Sequence, residues 1–466
     1  MTAGAVDNRE QAASGPATLA LRGAEPGAGS LPAALAAPLV DPSLFGVYVH
    51  VPFCLTRCHY CDFVTYTGME GLRRPYAAAL GEEAKLAVAA LGPEPPEVTS
   101  VFVGGGTPTL LPAEDLARLL GRLRELLPFA PGAEVTVEAN PDTVGVAMAE
   151  GLAGAGVTRV SMGAQSFDDR VLANLGRAHD AAGVAAAAAS LRAAGMPALN
   201  LDLIYGGPGE DAGSWAATLE AALTLEPEHL SAYALTIEPA TKFGRLVAAG
   251  RMAEPGEDDL ADRYEAACTT LAAAGYHHYE VSNWARDGAS PWARGGASLA
   301  VWGRGSMQPD RPQLGPPEGE RSPGGEGGLA VVHSPRIPRH ASRHNLTYWR
   351  RGRYLGLGAG AHEFDGTTRR WNVNGVPEYL KAIGSHRRPT QGEERLGPEQ
   401  ARFEALALRL RTVDGLGPGE ARSLGVDPDG AEVNHLRTAA LLAPGPGLRL
   451  TEQGMFLHGE VVARLA

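Results

Sequence analysis

The chain has 466 residues and a net charge of −12, a size that corresponds to one large domain with smaller additions. The acidic balance argues against nucleic acid as a partner, because binding through phosphates needs a basic surface. No run of about 18 apolar residues predicts a membrane span. The N-terminus lacks a signal peptide's basic start and apolar core and carries Asp7 and Glu10, so we expect a cytoplasmic protein.

Residues 1–45 are rich in Ala, Gly and Pro and predict a flexible leader. From 46 to 286, short apolar runs alternate with helical stretches, which predicts βαβ units and a parallel sheet. The predicted strands are 47–51, 101–103, 135–138, 159–163, 199–204, 230–235 and 279–282, and the predicted helices lie around 71–91, 113–127, 144–155, 181–194, 213–225 and 258–274. This order predicts an α/β fold, a partial (β/α)6 TIM-like barrel whose polar strand ends meet at one rim.

The remaining chain divides into three predicted parts. Residues 287–342 are Gly/Pro-rich and predict a disordered insertion. Residues 343–390 complete the core, and 391–466 predict a small, mainly helical, winged-helix-like C-terminal domain. A DNA-binding role for this domain is disfavoured, because acidic residues slightly outnumber Lys and Arg from 397 onward.

Three cysteines, Cys54, Cys58 and Cys61, are spaced C-x3-C-x2-C in CLTRCHYC. Clustered cysteines in a reducing compartment indicate metal or redox chemistry rather than disulfides. Four thiolates normally complete a [4Fe-4S] cluster, so three would leave one iron open to another ligand. Two alternatives stay open: zinc with His50 or His59 as fourth ligand, and cysteines that only fill the core. The fourth cysteine, Cys268, stands alone in a predicted helix as a small buried residue.

Several residues at or near predicted strand ends are candidates for binding a polar ligand. The glycine run in VFVGGGTPT would let backbone groups approach such a ligand, although a tight turn also explains it. Glu138 and Gln165 end predicted strands and would point into the rim. Asp202 lies in an apolar run, where a carboxylate needs a ligand or a salt bridge. Arg177 is also a candidate, although a lone arginine here is more simply a helix-surface residue.

The segment YVHVPFCLTRCHYCDF resembles the signature of radical-SAM enzymes, in particular of the coproporphyrinogen-oxidase-related branch. The resemblance implies that S-adenosylmethionine binds the open iron and is cleaved to a 5′-deoxyadenosyl radical, a chemistry that belongs to the cofactor. It also implies an electron donor such as flavodoxin or ferredoxin. The residues that the resemblance assigns to S-adenosylmethionine are Tyr48, Tyr60, Gly105, Gly106, Thr107, Glu138, Gln165, Arg177 and Asp202.

Two functions share this scaffold: oxygen-independent coproporphyrinogen III oxidase, which is an enzyme, and the HemW-type haem chaperone. The oxidases carry a further cysteine two positions after the third, where this chain has Phe63. The segments YEVSNWA at 279–285 and HNLTYW at 344–349 also resemble the chaperone branch. The sequence therefore predicts a chaperone that carries haem to an unknown acceptor protein, with the oxidase as the alternative.

An imidazole is a ready axial ligand for haem iron. The resemblance makes His344, in HNLTYW, the candidate, and His362, in GAGAHEF, the second choice. A core histidine that is hydrogen-bonded inside the barrel is the alternative for His344. The family joins SNWA to HNLxYW by a few residues, whereas the Gly/Pro-rich segment intervenes here. We expect this insertion to lie near the haem site.

Overall fold

The computed structural model describes residues 39–288 and 337–466. Six strands alternate with helices in the first half of the chain. They are β1 (Phe45–Val51), α1 (Arg73–Leu91), β2 (Val98–Gly105), α2 (Ala113–Leu126), β3 (Phe129–Ala139), α3 (Val146–Gly154), β4 (Arg159–Gln165), α4 (Asp169–Leu175), α5 (Ala181–Ala193), β5 (Leu199–Tyr205), α6 (Ala212–Thr224) and β6 (His229–Ala234). Neighbouring strands from β1 to β6 are parallel, which confirms the predicted partial (β/α)6 barrel.

The second half of the chain extends this sheet at both edges. Its elements are α7 (Lys242–Ala248), α8 (Glu257–Ala273), β7 (His277–Glu280), β8 (Asn283–Ala285), α9 (Arg343–Trp349), β9 (Arg353–Leu357), β10 (His362–Phe364), β11 (Thr368–Asn372), α10 (Val376–Gly384), β12 (Thr390–Arg395), α11 (Pro398–Leu410), α12 (Pro418–Ser423), α13 (Ala431–Thr438), α14 (Glu452–Phe456) and α15 (His458–Leu465). The sheet order is β12-β11-β10-β9-β1-β2-β3-β4-β5-β6-β8-β7. Strand β9 pairs parallel with β1. This pairing brings together residues that are about 300 positions apart in the chain.

Both faces of the parallel strands are covered, as the apolar runs require. In β1 the alternate residues Val47, Val49 and Val51 are fully buried. Helix α2 is amphipathic and buries Leu116 and Leu120 among others. Each such side chain contributes roughly 1.5–3 kcal/mol by leaving water. The predicted strand over 279–282 differs from the structure, which ends β7 at Glu280 and turns into the antiparallel β8.

Helix α9 closes the barrel at the N-terminal ends of its strands. Glu134, near the middle of β3, accepts hydrogen bonds from the backbone N–H groups of Arg343 and His344, both at 3.2 Å. The same carboxylate forms a buried ion pair with Arg159, the first residue of β4, at 3.2 Å. The carboxyl ends of β1 to β6 therefore form the open rim at the opposite end.

Residues 1–38 of the predicted leader and 289–336 of the predicted insertion lie outside the described residues. The described residues that flank the second gap are held together. His340 donates its backbone N–H to the Arg286 carbonyl at 3.2 Å, and its Nε2 is hydrogen-bonded to the Gly288 carbonyl at 3.0 Å. Arg159 donates to the His340 carbonyl at 2.8 Å. The insertion thus begins and ends beside α9, at the end of the barrel opposite the rim.

The C-terminal block has its own apolar core, formed by residues from α11 to α15. Two short bridges, Leu416 to Leu448 and Leu442 to Leu450, complete a winged-helix-like arrangement. The predicted start of this domain, 391, falls within β12, which pairs with β11 in the barrel's sheet. No helix among the described residues is long and apolar enough to cross a membrane.

A buried carboxylate on α1 ties the added strands to the barrel. Glu83 is fully buried and accepts three hydrogen bonds. They come from the Gly358 N–H at 2.7 Å, Asn372 Nδ2 at 2.6 Å and the Tyr379 hydroxyl at 2.7 Å. Burial raises the pKa of this carboxyl to about 7, while the three donors act in the opposite direction.

This pKa predicts a specific pH dependence of stability. A carboxyl whose pKa is higher in the folded protein than in the unfolded chain binds more protons when folded, so its contribution to stability falls as pH rises from about 4.5 to about 7. Glu83→Gln removes this titration. We expect the free energy of unfolding of the variant, relative to wild type, to rise by about 2–3 kcal/mol between pH 5 and pH 8.

Denaturant titrations at several pH values measure this difference. Glu82→Gln is the matched control, since Glu82 is the exposed neighbour on the same helix and pairs only with Lys85 among the described residues. A difference between Glu83→Gln and wild type that stays constant with pH would contradict the prediction.

Candidate functional site

The cysteine loop leaves the end of β1 at the rim and holds three free, partly exposed thiols. Backbone hydrogen bonds fix the loop at both ends. The Cys54 N–H donates to the Tyr66 carbonyl at 3.0 Å, and the Tyr66 N–H donates to the Pro52 carbonyl at 2.7 Å. The Thr107 N–H donates to the Phe53 carbonyl at 2.7 Å. The loop is therefore positioned by β1 and by the turn that follows β2.

A hydrogen-bonded chain of side chains reaches two of the three thiols. Arg177 donates through Nη1 to Cys58 Sγ at 3.3 Å and through Nη2 to Asn140 Oδ1 at 2.6 Å. Asn140 donates to Thr107 Oγ1 at 3.0 Å, and that hydroxyl donates to Cys54 Sγ at 3.8 Å. Arginine beside a thiolate stabilises its negative charge. The structure thus favours a site role for Arg177 over the helix-surface alternative.

Asn140 was not among the residues that the sequence singled out. It follows Glu138 by two positions, just after β3, so the rule that polar residues at strand ends gather at the rim would also have included it.

Burial disfavours the thiolate form of Cys54 and Cys61. It raises the pKa of Cys54 to about 11 and also raises the pKa of Cys61. A metal ligand must lose its proton, so a metal bound here would have to replace these protons. Three thiols grouped in one loop are the soft ligand set that iron–sulfur clusters use.

The two imidazoles that the zinc alternative requires, His50 and His59, are both engaged in other hydrogen bonds. The ring nitrogens of His50 are both hydrogen-bonded, to the Tyr48 hydroxyl at 2.8 Å and to the Val64 carbonyl at 2.9 Å. Those of His59 bond the Asn174 carbonyl and Lys242 Nζ, each at 2.8 Å.

The spacing of the thiols also disfavours a single ion. Among the described residues, the one group of at least three such ligand atoms that lie within 4.8 Å of one another is Cys268, His278 and Glu452, on α8, β7 and α14. The three loop thiols are not gathered that closely. A tetrahedral zinc ion with bonds of about 2.3 Å to sulfur would draw them together, whereas a cluster of four irons holds its ligands further apart.

The glycine run after β2 is required by close packing against the cysteine loop. Gly105 has a φ of +106°, and a Cβ there would lie 2.3 Å from the His50 ring. A Cβ on Gly106 would lie 2.6 Å from the Phe53 carbonyl oxygen. The Gly105 N–H donates to Glu138 Oε2 at 2.8 Å. The turn is therefore fixed by its neighbours on β1 and β3, and glycine is the residue that fits it.

Two half-buried carboxylates, Glu138 and Asp202, face the interior near the rim. Burial raises the pKa of Glu138 to about 7, against the opposing effect of the Gly105 N–H. Burial also raises the pKa of Asp202, which accepts from Ser161 Oγ at 2.9 Å and Asn200 Nδ2 at 2.8 Å. Asp202 forms no salt bridge within residues 39–288 and 337–466. Neutral donors therefore take the place of the salt bridge that the sequence analysis gave as one alternative for this carboxylate.

The other predicted ligand residues lie around the same interior. Gln165 has a φ of +65°, which is rare for a residue with a side chain. Its amide nitrogen lies over Gly163, whose carbonyl accepts from Arg177 Nη2 at 2.9 Å. Tyr48 is half-buried and stacks with Phe102 at 6.3 Å between ring centroids. Tyr60 packs against the apolar cluster of α4 and β5.

His344 is not brought to this site. It lies beside Gly46 at the start of β1, where a Cβ on the glycine would be 3.2 Å from the ring. Its ring nitrogens are hydrogen-bonded to Ser100 Oγ at 3.0 Å and to the Tyr348 hydroxyl at 2.9 Å. The side chain is 1% exposed, and burial lowers its pKa to about 3. This geometry is that of the core histidine alternative.

Comparisons with known proteins show the family of the chain. The family model of the radical SAM superfamily matches residues 48–222. The chain is 39% identical to the heme chaperone HemW of Mycobacterium tuberculosis, over 90% of this chain and 94% of that protein. It is 31% identical to the HemW of Bacillus subtilis, over 89% of this chain and 97% of that protein.

Among solved structures, coproporphyrinogen III oxidase (HemN) from Escherichia coli has a TM-score of 0.68 at 19% identity, and the match covers 91% of this chain and 90% of that one. An identity this low shows a shared fold only. The match to the two chaperones extends over nearly the whole length of both chains. The chain therefore belongs to the family of the heme chaperone HemW, within the radical SAM superfamily.

Proposed function

We propose that this chain is a haem chaperone that binds a [4Fe-4S] cluster, S-adenosylmethionine and haem, and transfers the haem to an acceptor protein. The observation that carries the proposal is the cysteine loop. Three free thiols lie at the barrel rim, and the nearby imidazoles are occupied elsewhere. A cluster held by Cys54, Cys58 and Cys61 would keep one iron open for a ligand from outside the protein.

The surroundings of the thiols support a cluster. The Arg177 guanidinium donates to Cys58, and Thr107 donates to Cys54. Hydrogen bonds and positive charge near thiolate sulfur tune an iron–sulfur cluster and favour its more reduced, more negative state. When bound, the cluster and S-adenosylmethionine would supply electron transfer and radical chemistry; the protein's part is to hold them and to limit access of water.

The rim has suitable groups for S-adenosylmethionine. Its amino group and ribose hydroxyls need acceptors, and Glu138 and Asp202 supply half-buried carboxylates on the inner side of β3 and β5. The Asn140 and Gln165 amides are both near Arg177. The other proposed binding residues are Tyr48, Tyr60, Gly105, Gly106 and Thr107.

The chaperone is favoured over the oxidase by two observations. The relatives that match over nearly the full length are named heme chaperones, and Phe63 occupies the position of the oxidases' further cysteine. Phe63 and Leu55 are each 49% exposed, so the cysteine loop presents apolar side chains. Such a surface suits a porphyrin or a partner protein, here the haem acceptor or an electron donor of the flavodoxin or ferredoxin type. We place this function in the cytoplasm.

The cluster assignment predicts a clear difference between the cysteines. Anaerobic reconstitution of wild type should yield about four irons per chain. Replacing Cys54, Cys58 or Cys61 with Ala should abolish the cluster, because each supplies an iron ligand. Cys268→Ala is the matched control and should retain the full iron content, since Cys268 is buried on α8. Iron and sulfide analysis measures this; a protein that holds one zinc at the loop would overturn the assignment.

The Arg177 contact predicts a change in redox potential. In Arg177→Gln the cluster should still assemble, because the three thiols remain. Its reduction potential should fall by on the order of tens of millivolts, since a positive charge next to Cys58 is lost. Spectroscopic redox titration measures the shift. Arg170→Gln is the control, because Arg170 is exposed and pairs with Asp168; an equal shift in both variants would refute a specific role for Arg177.

One experiment separates the chaperone from the oxidase. Reconstituted protein is incubated with coproporphyrinogen III, S-adenosylmethionine and a reductant, and separately titrated with haem. We expect stoichiometric haem binding and no protoporphyrinogen. Formation of protoporphyrinogen at a rate proportional to protein concentration would establish the oxidase instead.

A further inference from the structure

A row of residues crosses the inner face of the sheet at the level of Tyr48. Tyr48 on β1 is paired with Phe102 on β2 and with Gly356 on β9. Strand β10 runs antiparallel to β9 with Phe364 opposite Tyr354, and alternation along β10 puts His362 on the same face as Phe364. The His362 backbone packs directly over β9, since a Cβ on Gly356 would lie 2.1 Å from the His362 carbonyl oxygen. Burial lowers the pKa of His50, which is hydrogen-bonded to Tyr48, and the His362 ring is close enough to lower the pKa of His50 further.

The loop before His362 packs against the end of β1 and the cysteine loop. A Cβ on Gly358 would lie 2.4 Å from the His50 carbonyl oxygen, and one on Gly360 would lie 3.3 Å from Val64 Cγ1. Val64 directly follows the exposed Phe63. His362 is therefore held near the cysteine loop, at the rim end of the barrel that His344 does not reach.

His362 differs from the other interior histidines. Within residues 39–288 and 337–466, every buried or half-buried histidine except His362 has at least one ring nitrogen in a hydrogen bond. The His362 ring makes none to the described residues, and its nitrogens are not sealed from solvent. Interior polar groups normally have a partner. A half-buried imidazole with both nitrogens available is suited to bind a ligand from outside the chain.

An aromatic side chain lies beside this imidazole. His362 stacks with Trp371 of β11 at 6.0 Å between ring centroids and an angle of 23°. Gly392 on β12 leaves room for the indole, since a Cβ there would lie 2.4 Å from it. Burial and the nearby Arg369 both lower the pKa of His362, so the neutral imidazole is present at neutral pH. Neutral imidazole next to a flat apolar surface matches the chemistry of haem.

We propose that His362, and not His344, supplies the imidazole that binds the haem iron, with Trp371 holding the imidazole ring in place by stacking. This inference rests on the proposed haem-chaperone function. Binding at His362 breaks no hydrogen bond to the described residues, whereas binding at His344 would break one and open the closed end of the barrel. Haem would then lie at the rim, on the same side as the cysteine loop.

Titration of the reconstituted full-length protein with ferric haem tests this assignment. His362→Ala should weaken haem binding by about tenfold or more and change the spin state of the iron, as seen by absorption and electron paramagnetic resonance. Added imidazole should restore the wild-type spectrum by replacing the missing ligand. His277→Ala is the matched control, because His277 is exposed at the start of β7, and it should behave as wild type.

His344→Ala should keep the wild-type haem spectrum, although it leaves a cavity in the core and should lower the melting temperature. Iron content and melting temperature, measured for each variant, separate a lost ligand from misfolding.

If wild type binds no haem, both the proposed function and this inference are refuted. If His362→Ala binds haem with wild-type affinity and spectrum, His362 is refuted while the chaperone function stands. The His362 assignment would also be refuted if His344→Ala, and not His362→Ala, lost the nitrogen ligand of the haem iron while its iron–sulfur cluster stayed intact.

Discussion

The buried carboxylate of Glu83 and the neighbouring Tyr76 hold together the two parts of the chain that form the rim. Glu83 binds the Gly358 N–H, and Tyr76, which is also on α1, donates to the His50 carbonyl and accepts from the Ala359 N–H. Helix α1 thus fixes the loop before β10 against the end of β1. The cysteine loop begins at that end of β1, so its position and that of the added strands depend on the same contacts. A buried carboxylate without its donors would be costly. The loop before β10 and the end of β1 are therefore stabilised together by their contacts with α1.

The barrel was predictable because its strands and helices have strong periodic patterns. Strands β1 to β6 and the longer helices all appear where apolar runs alternate with helical stretches. Helices α4 and α7 were missed because seven residues are too few for a clear pattern. The added strands were missed for a different reason. Strand β11 has the sequence TRRWN, whose arginines are neutralised by acidic partners that only the fold brings near, among them Glu404 and Glu393.

The cysteine motif is local in the chain, so the sequence alone was enough to predict its chemistry. The position of His344 depends on topology instead. A strand that pairs parallel with β1 has to begin at the same end of the barrel as β1, so the helix just before β9 lies at the closed end. Residues just after β9, including His362, then lie near the rim. The sequence motif HNLTYW carries no information about the direction of β9, and for that reason the two histidines could not be ranked without the sheet order.

The paired residues at the edges of the second gap have a practical consequence. His340 is bonded to both Arg286 and Gly288, so the chain leaves and re-enters the fold at almost one point. Strand β1 has seven residues and spans about 23 Å, which separates that point from the rim. Since closure entropy changes slowly with loop length, the stretch between the two anchors can be shortened, exchanged or replaced by a reporter domain without tension on the sheet. It offers a tolerant attachment point for fusion partners, remote from the cysteine loop.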